Sequence, residues 1–566
     1  MKLKSIYLGG LVFAVFAMAS FPLFSFAEDI YGSRLDNGLK NTEPYSYDLI
    51  KKAQTDPANA KGILIEAIKY SPDLPAAYFE MARISFSLSP EGIFETLDYM
   101  IQGFKAYKRN FWWLMSISGL LFISLISSFI IVLIAVICIR FFIEVPLLSH
   151  DITEDKKKAL IVLALIPLSF LGPLFFIAGA LFLIGLYFRK IDKTIVYASI
   201  VTLLISPLFL RITNFFLSAP SPELRAIVAV NENRDNKYAL SALKGRNDFA
   251  PLFSYALALK REGHYEEAIA AYKYLLSSFS SPTRVSYEPL VYVNLGNCYF
   301  SISDMANAKN FYKKSIELKP LVSAYYNLSQ VSRETLDFAK GEEYFLEATR
   351  LSRESVSVFT STVSRNPNRF VIDETLPIYA LWKYANNRTR ELIKITPLDS
   401  AITVTIAIIL ILLFYIVDTR LKYRAYRCKR CNTILCGKCE KELFWGQMCA
   451  QCYKSLVKLD KLDPRERVAK LLEVQELQAK KRNTAKVLSF APPGIAHIYS
   501  GRILIGSLFL WLFLFSLILL LLNPFFPTGL SFFPHRWINI PALILMAVLY
   551  LISNMSVRRR LSRGWL

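Results

Sequence analysis

The sequence predicts a mostly α chain: a multi-span α-helical membrane protein with an α-α superhelical repeat domain and a small zinc-binding module. Three observations lead there. Hydrophobic residues make up 54% of the 566 residues, and the mean hydropathy of +0.34 is too high for a soluble protein of this length. Small and aromatic residues recur at helical spacing in the centre, with Tyr312 and Phe345 separated by 33 positions. Six of the eight cysteines fall between Cys428 and Cys452, as three Cys-x-x-Cys pairs. The net charge of +22 fits basic residues on cytoplasmic flanks of membrane spans better than it fits nucleic-acid binding.

Residues 1–27 carry Lys2 and Lys4, an apolar run, and Ser25-Phe26-Ala27 before Glu28. That is the layout of a signal peptide or, uncleaved, a signal anchor, and it sends the following residues across the membrane. Residues 28–110 are polar and helix-patterned. Residues 111–217 form a membrane region. A first span opens on Phe111-Trp112-Trp113, aromatics suited to the interface. Residues 159–188 are apolar but broken by Pro167, Gly172 and Pro173. Basic clusters on both sides, Lys156-Lys157-Lys158 and Arg189-Lys190, make this run a hairpin if both are cytoplasmic, and one straight span otherwise. A further span covers residues 194–217.

Residues 218–398 hold the repeats. Gly263-x-Tyr265-x-x-Ala268-x-x-x-Tyr272 is followed by Leu295-Gly296-x-x-Tyr299, Ala308-x-x-x-Tyr312 and Pro320, then by Leu328, Phe338, Gly341, Phe345 and Ala348. This resembles the tetratricopeptide-repeat (TPR) family over about 100 residues. Ala67 to Tyr70 with Ala76 to Ala82 resembles a single, weaker joint of the same kind. The resemblance implies a superhelix with a concave groove for proteins or peptides. Ala268, Tyr272, Gly296, Ala308, Tyr312, Phe345 and Ala348 are expected in its core. Asn297, Tyr326 and Asn327 are expected on ordinary helix surface, with the groove as the alternative.

Residues 399–419 are a short, uniformly apolar span, and residues 420–462 hold the cysteines. Cys428/Cys431, Cys436/Cys439 and Cys449/Cys452 each put two thiolates on one tight turn, and two such turns close a tetrahedral zinc site. A basic module this small cannot build its own core, so metal would supply its folding energy. The spacing, ending in Cys449-Ala450-Gln451-Cys452-Tyr453, resembles the later part of a FYVE-type zinc finger. The resemblance implies that the first and third pairs share one metal, which carries over to Cys428, Cys431, Cys449 and Cys452. The middle pair would need an earlier Cys-x-x-Cys, which the chain lacks, so one zinc is expected, and two only if Cys436 and Cys439 find other ligands. Pairing of Cys436/Cys439 with Cys449/Cys452 stays open. The isolated Cys138 and Cys298 are expected as buried small hydrophobes.

Residues 463–483 read as an amphipathic helix with Val468, Leu471, Leu472 and Leu477 on one face. Residues 484–566 contain Pro493-Gly494-x-x-His497-x-Tyr499-x-Gly501-Arg502-x-x-x-Gly506. This resembles a bacterial two-span membrane family with a Pro-Gly-x-Gly-His-x-Tyr-x-Gly signature, except that Ala496 replaces its second glycine. Two spans and a basic tail follow.

No phosphate-binding glycine loop, zinc-protease helix, nucleophile elbow or dinucleotide fingerprint occurs in the sequence. The expectation is a non-enzymatic scaffold or adaptor of the bacterial inner membrane, without a small-molecule substrate. Its repeats and residues 28–110 would be periplasmic, its zinc module and C-terminus cytoplasmic, and its partners proteins, peptides and membrane lipid. A transmembrane signal transducer is the first alternative. A transporter or enzyme component is the second, weakened by spans almost free of charge.

Overall fold

In the computed structural model the chain divides into two compact units, and one helix of 42 residues, Phe111–Ile152, begins in the first and belongs to the second from Met115 on. Its length exceeds the roughly 20 residues that span a bilayer. The structure describes residues 38–152, 170–234, 238–278, 282–361, 370–389, 394, 396–420, 424–436, 448–456, 464–526 and 534–563. The expected leader and Cys439 lie outside them. The first unit comprises Met1–Leu114 with Ser218–Thr389, and the second Met115–Leu217 with Arg390–Leu566.

The first unit is a stack of helical hairpins. Glu43–Thr55 pairs with Ala60–Tyr70, and Pro75–Ser85 with Pro90–Tyr107. Prolines open the last two where a missing N–H costs nothing, and Ser89 caps the last by accepting from the Gly92 N–H at 3.1 Å. Leu64, Ala67, Leu74, Ala77 and Met81 are fully buried between them.

Three further pairs follow: Phe249–Arg261 with Tyr265–Ser278, Pro282–Ser301 with Met305–Leu318, and Val322–Glu334 with Phe338–Leu351. Each turns at an equivalent left-handed residue: Gly263 at φ 86°, Ser303 at 64° and Leu336 at 60°. Asp304 and Asp337 then cap the second helices. Ala268, Tyr272, Ala308, Tyr312 and Ala348 are fully buried. A Cβ on Gly296 would lie 2.5 Å from the Tyr312 ring, so only glycine admits that ring. Phe345 is half-buried, against Tyr326 and beneath Arg333.

A buried ionic lock joins the early hairpins to the later ones. Arg234 reaches Glu43 at 2.7 Å and Glu232 at 2.5 Å, while Asn110 donates to Glu43 at 2.8 Å. Glu232 also accepts from the Phe111 N–H. Burial drives Glu232 up to about 7 even against Arg234.

The second unit is a helical bundle. Among the described residues four helices are long and apolar enough to cross a membrane: Phe111–Asp151, Pro397–Arg420, Ile503–Phe525 and Arg536–Ser562. Thr194–Leu204 and Ser206–Ser218 would make a fifth span, bent by 58° where Pro207 cannot continue the hydrogen-bond ladder. Pro173–Gly185 is shorter, at 13 residues, and follows Gly172 at φ 129°.

Contacts within this unit sort into two ends. At one, Ser116 bonds His535, Phe122 meets Phe209, and Asn523 donates to the His535 carbonyl. At the other, Tyr187 donates to Asp151 at 2.6 Å, Lys193 pairs with Asp418, the Leu504 N–H donates to Asp192, and Arg140 donates to the Tyr499 carbonyl.

The glycine signature is explained by a close backbone approach near this second end. A Cβ on Gly494 would lie 2.0 Å from the Gly506 carbonyl oxygen, and one on Gly506 would lie 2.6 Å from that of Gly494. His497 is buried against Ser556 at 3.1 Å. Cys298 is buried as expected, but Cys138 is exposed on the surface of its helix.

Candidate peptide groove and metal centre

The cysteine centre is assembled from a hairpin and a helix start. Strands Tyr426–Arg427 and Ile434–Leu435 pair antiparallel, and the turn between them holds the first knuckle. The Cys428 N–H donates to the Thr433 carbonyl at 2.8 Å, and the Asn432 N–H to the Cys428 carbonyl at 3.0 Å. Asn432 takes φ 65°, a conformation its side chain type tolerates. The third knuckle sits at the start of Ala450–Leu456, where the Tyr453 N–H donates to the Cys449 carbonyl.

Cys428, Cys431, Cys449 and Cys452 are all buried, and their four sulfurs lie within 4.8 Å of one another. A tetrahedron of thiolates about 2.3 Å from a zinc ion has sulfur edges of about 3.8 Å, so the donor set fits such an ion. The Cys431 and Cys449 sulfurs are 3.6 Å apart, far beyond a disulfide bond. Backbone N–H groups already point at sulfur, from Cys449 to Cys428 and from Cys452 to Cys449, each at 3.3 Å. Burial raises the Cys452 thiol, whereas hydrogen bonds from Thr433 overcome burial and bring Cys431 down to about 7. Four such thiolates crowded together need a cation to be stable.

Cys436 does not join this group; it is buried beside Leu147 and Ala425. The helix Pro464–Leu488 lies across the centre through Val474, and Lys481 donates to Asn432. Val468, Leu471 and Leu472 of its expected apolar face are exposed.

The second constellation lies on the inner helices of the repeats. Residues 370–377 have no regular secondary structure and pass against the first helices of the repeats. Their backbone is held by asparagine side chains. Asn327 accepts from the Ile372 N–H at 2.8 Å and donates to its carbonyl at 2.9 Å, and Asn297 donates to the same carbonyl at 3.0 Å. Asn294 accepts from the Glu374 N–H and donates to its carbonyl, both at 2.8 Å. Asn231 accepts from the Leu376 N–H at 2.7 Å. The contacted residues 372, 374 and 376 alternate, as an extended chain requires.

Side chains fix the register. Asp373 takes Lys260 at 2.8 Å, Arg261 at 3.4 Å and Asn297 at 2.9 Å. Burial opposes its ionisation, but Lys260 and Arg261 outweigh burial and hold its carboxyl below the ordinary range. Phe370, Ile372 and Leu376 are buried, and Ser323 bonds Glu374. The asparagines support one another: Tyr312 donates to Asn297 at 2.7 Å, and so does Asn327 at 2.9 Å.

Asn297, Tyr326 and Asn327, for which the sequence leaves solvated surface and the groove as alternatives, are all buried, the two asparagines at 0% exposure. The surface reading fails because the chain itself covers them. Asn231 and Asn294 escaped notice, although Asn294-Leu295 and Asn327-Leu328 repeat the same dipeptide 33 positions apart.

A family model described as tetratricopeptide repeat matches residues 290–320, the stretch that carries Asn294, Asn297 and Tyr312. No curated protein matches the chain. The match assigns this stretch to a repeat type that serves protein–protein interaction.

Proposed function

We propose that the chain is a non-enzymatic scaffold of the bacterial inner membrane, binding proteins through periplasmic repeats and carrying a cytoplasmic zinc module. The observation that carries this reading is the pairing of a protein-binding repeat with several apolar helices and a buried four-cysteine cluster in one chain. Cys428, Cys431, Cys449 and Cys452 would hold one zinc ion. Bound zinc would supply folding energy to residues 424–456. The surrounding chain orients the sulfurs and shields them from water.

The ends of the second unit support the sidedness. Arg140, Arg189, Arg424, Arg427, Arg502 and Arg560 belong to the end that holds Asp151, Asp192 and the cysteines. Basic residues close to span ends favour the cytoplasm, and thiolate ligation favours its reducing conditions. Asp151 and Tyr187 meet at this end; the expected hairpin over residues 159–188 falls in part, with Pro167, outside the described residues. With the C-terminus in the cytoplasm, the three spans Pro397–Arg420, Ile503–Phe525 and Arg536–Ser562 would leave residues 218–398 on the periplasmic side.

Photoreactive residues in place of the exposed Lys273 and Lys454 in the full chain test the reading in intact cells. Two different protein sets that co-purify in one complex are expected. A chain that cross-links to no protein from either position would contradict it.

A further inference from the structure

The groove that would receive a partner is filled by the chain's own residues 370–377, and the way they are held has the character of ligand recognition. A structural plug needs only apolar side chains against an apolar surface. Here three asparagines on two successive repeats, with Asn231 beyond them, read the backbone N–H and C=O groups of residues 372, 374 and 376. Contacts of this kind do not depend on the sequence being read. Specificity comes from one carboxylate at Lys260 and Arg261, with apolar side chains one residue before it and three after. A buried carboxylate without those cations would be costly, so the pair selects an acidic residue at that register.

We propose that residues 370–377 are a built-in ligand guarding the groove, and that the external partner is an extended protein segment with the same pattern, apolar-Asp-x-x-apolar. The proposal rests on the interaction reading above and deepens it. A tethered segment presents itself at an effective concentration on the order of millimolar. The partner's apparent affinity is reduced by the fraction of time the guard is seated. Weak or incomplete matches are thereby rejected, and only a segment that satisfies both the asparagines and the two cations displaces the guard.

The test uses the full chain in detergent and a fluorescent peptide copying residues 370–377, with a control peptide carrying lysine for the aspartate. In the chain, Asp373→Lys sets a cation against Lys260 and Arg261 and unseats the guard while leaving the groove intact. The acidic peptide should bind this variant at least about tenfold more tightly than it binds wild type. Adding Asn297→Ala and Asn327→Ala should abolish that binding, and the control peptide should not bind. Equal binding to wild type and Asp373→Lys, or no binding to a variant that keeps its helical circular dichroism, overturns the proposal.

Amide exchange on the wild-type chain gives a reading that needs no variant. The N–H groups of Ile372, Glu374 and Leu376 should exchange before those of Met305–Leu318. Exchange of both sets together would make the segment a fixed part of the fold and overturn the guard. Partner cross-linking that survives Asn297→Ala with Asn327→Ala would also overturn it, yet leave the interaction reading standing; absence of any partner sinks that reading instead.

Discussion

The cysteine centre and the asparagine groove are both buried polar constellations, but their information lies at different distances along the chain. Each knuckle fixes two ligands three residues apart, and only the two knuckles must find each other, across 18 residues from Cys431 to Cys449. In the groove, Asn327 meets a residue 45 positions away, Asn294 one 80 away and Asn231 one 145 away. A metal can rescue a module that lacks its own core, because one ion satisfies four ligands at once. In the groove, packed helices must hold every asparagine in place first. The first site should therefore be lost with its metal, whereas the asparagine groove should persist as long as its helices do, whether or not residues 370–377 are seated in it.

The largest effect should come from the metal side. Chelation, or Cys428→Ser, removes on the order of 10 kcal/mol of zinc-linked folding energy. Limited proteolysis should then cut at Lys429, Arg430 and Lys454, while the helices of the first unit stay protected. Cys436→Ser should be milder, since Cys436 packs apart from the four.

On the groove side, Asp373→Asn should cost about 4 kcal/mol at neutral pH, because Lys260 and Arg261 lose a buried partner. The sign of its pH dependence follows from the depressed carboxyl. Asp373 contributes fully above about pH 4, the unfolded-chain value, and its contribution fades as pH falls through the lower folded value. The stability gap between wild type and Asp373→Asn, measured by chemical denaturation, should stay flat from pH 7 to about 4 and shrink below.

Asn297→Ala should cost about 3 kcal/mol, since it strands the Tyr312 hydroxyl and one N–H of the Asn327 amide and takes one of two donors from the Ile372 carbonyl. Gly296→Ala should cost about 2 kcal/mol by forcing the Tyr312 ring aside. If either left amide exchange of residues 372–376 unchanged, the asparagines would not be what holds the segment.

The same contrast explains what the sequence disclosed. Apolar runs, the recurring Ala-x-x-x-Tyr spacing and the cysteine pairs are local patterns, so the helical class, the repeats and three candidate metal knuckles could be read directly, whereas the choice of Cys428, Cys431, Cys449 and Cys452 came only from the FYVE-type resemblance. The 58° bend near Pro207 departs from the single plain span expected over residues 194–217. The groove's occupant was hidden because residues 370–377, with neither helical nor strand periodicity of their own, take their conformation from asparagines far away. Asn297 and Asn327 looked like surface because burial by a distant segment leaves no trace in their neighbours. The lock of Glu43, Glu232 and Arg234, which unites residues separated by the membrane region, was hidden for the same reason.

The proposed separation of the two constellations by a membrane is tested most directly by accessibility. Ser277 lies exposed on the repeat helix Tyr265–Ser278, and Ser562 is exposed at the end of the last helix. Cysteine placed at each, against the background of the unsubstituted chain, is treated with a membrane-impermeant maleimide in cells stripped of their outer envelope. Ser277→Cys should label at once and Ser562→Cys only after permeabilisation; labelling of both in intact cells, or of Ser562→Cys alone, would contradict the account.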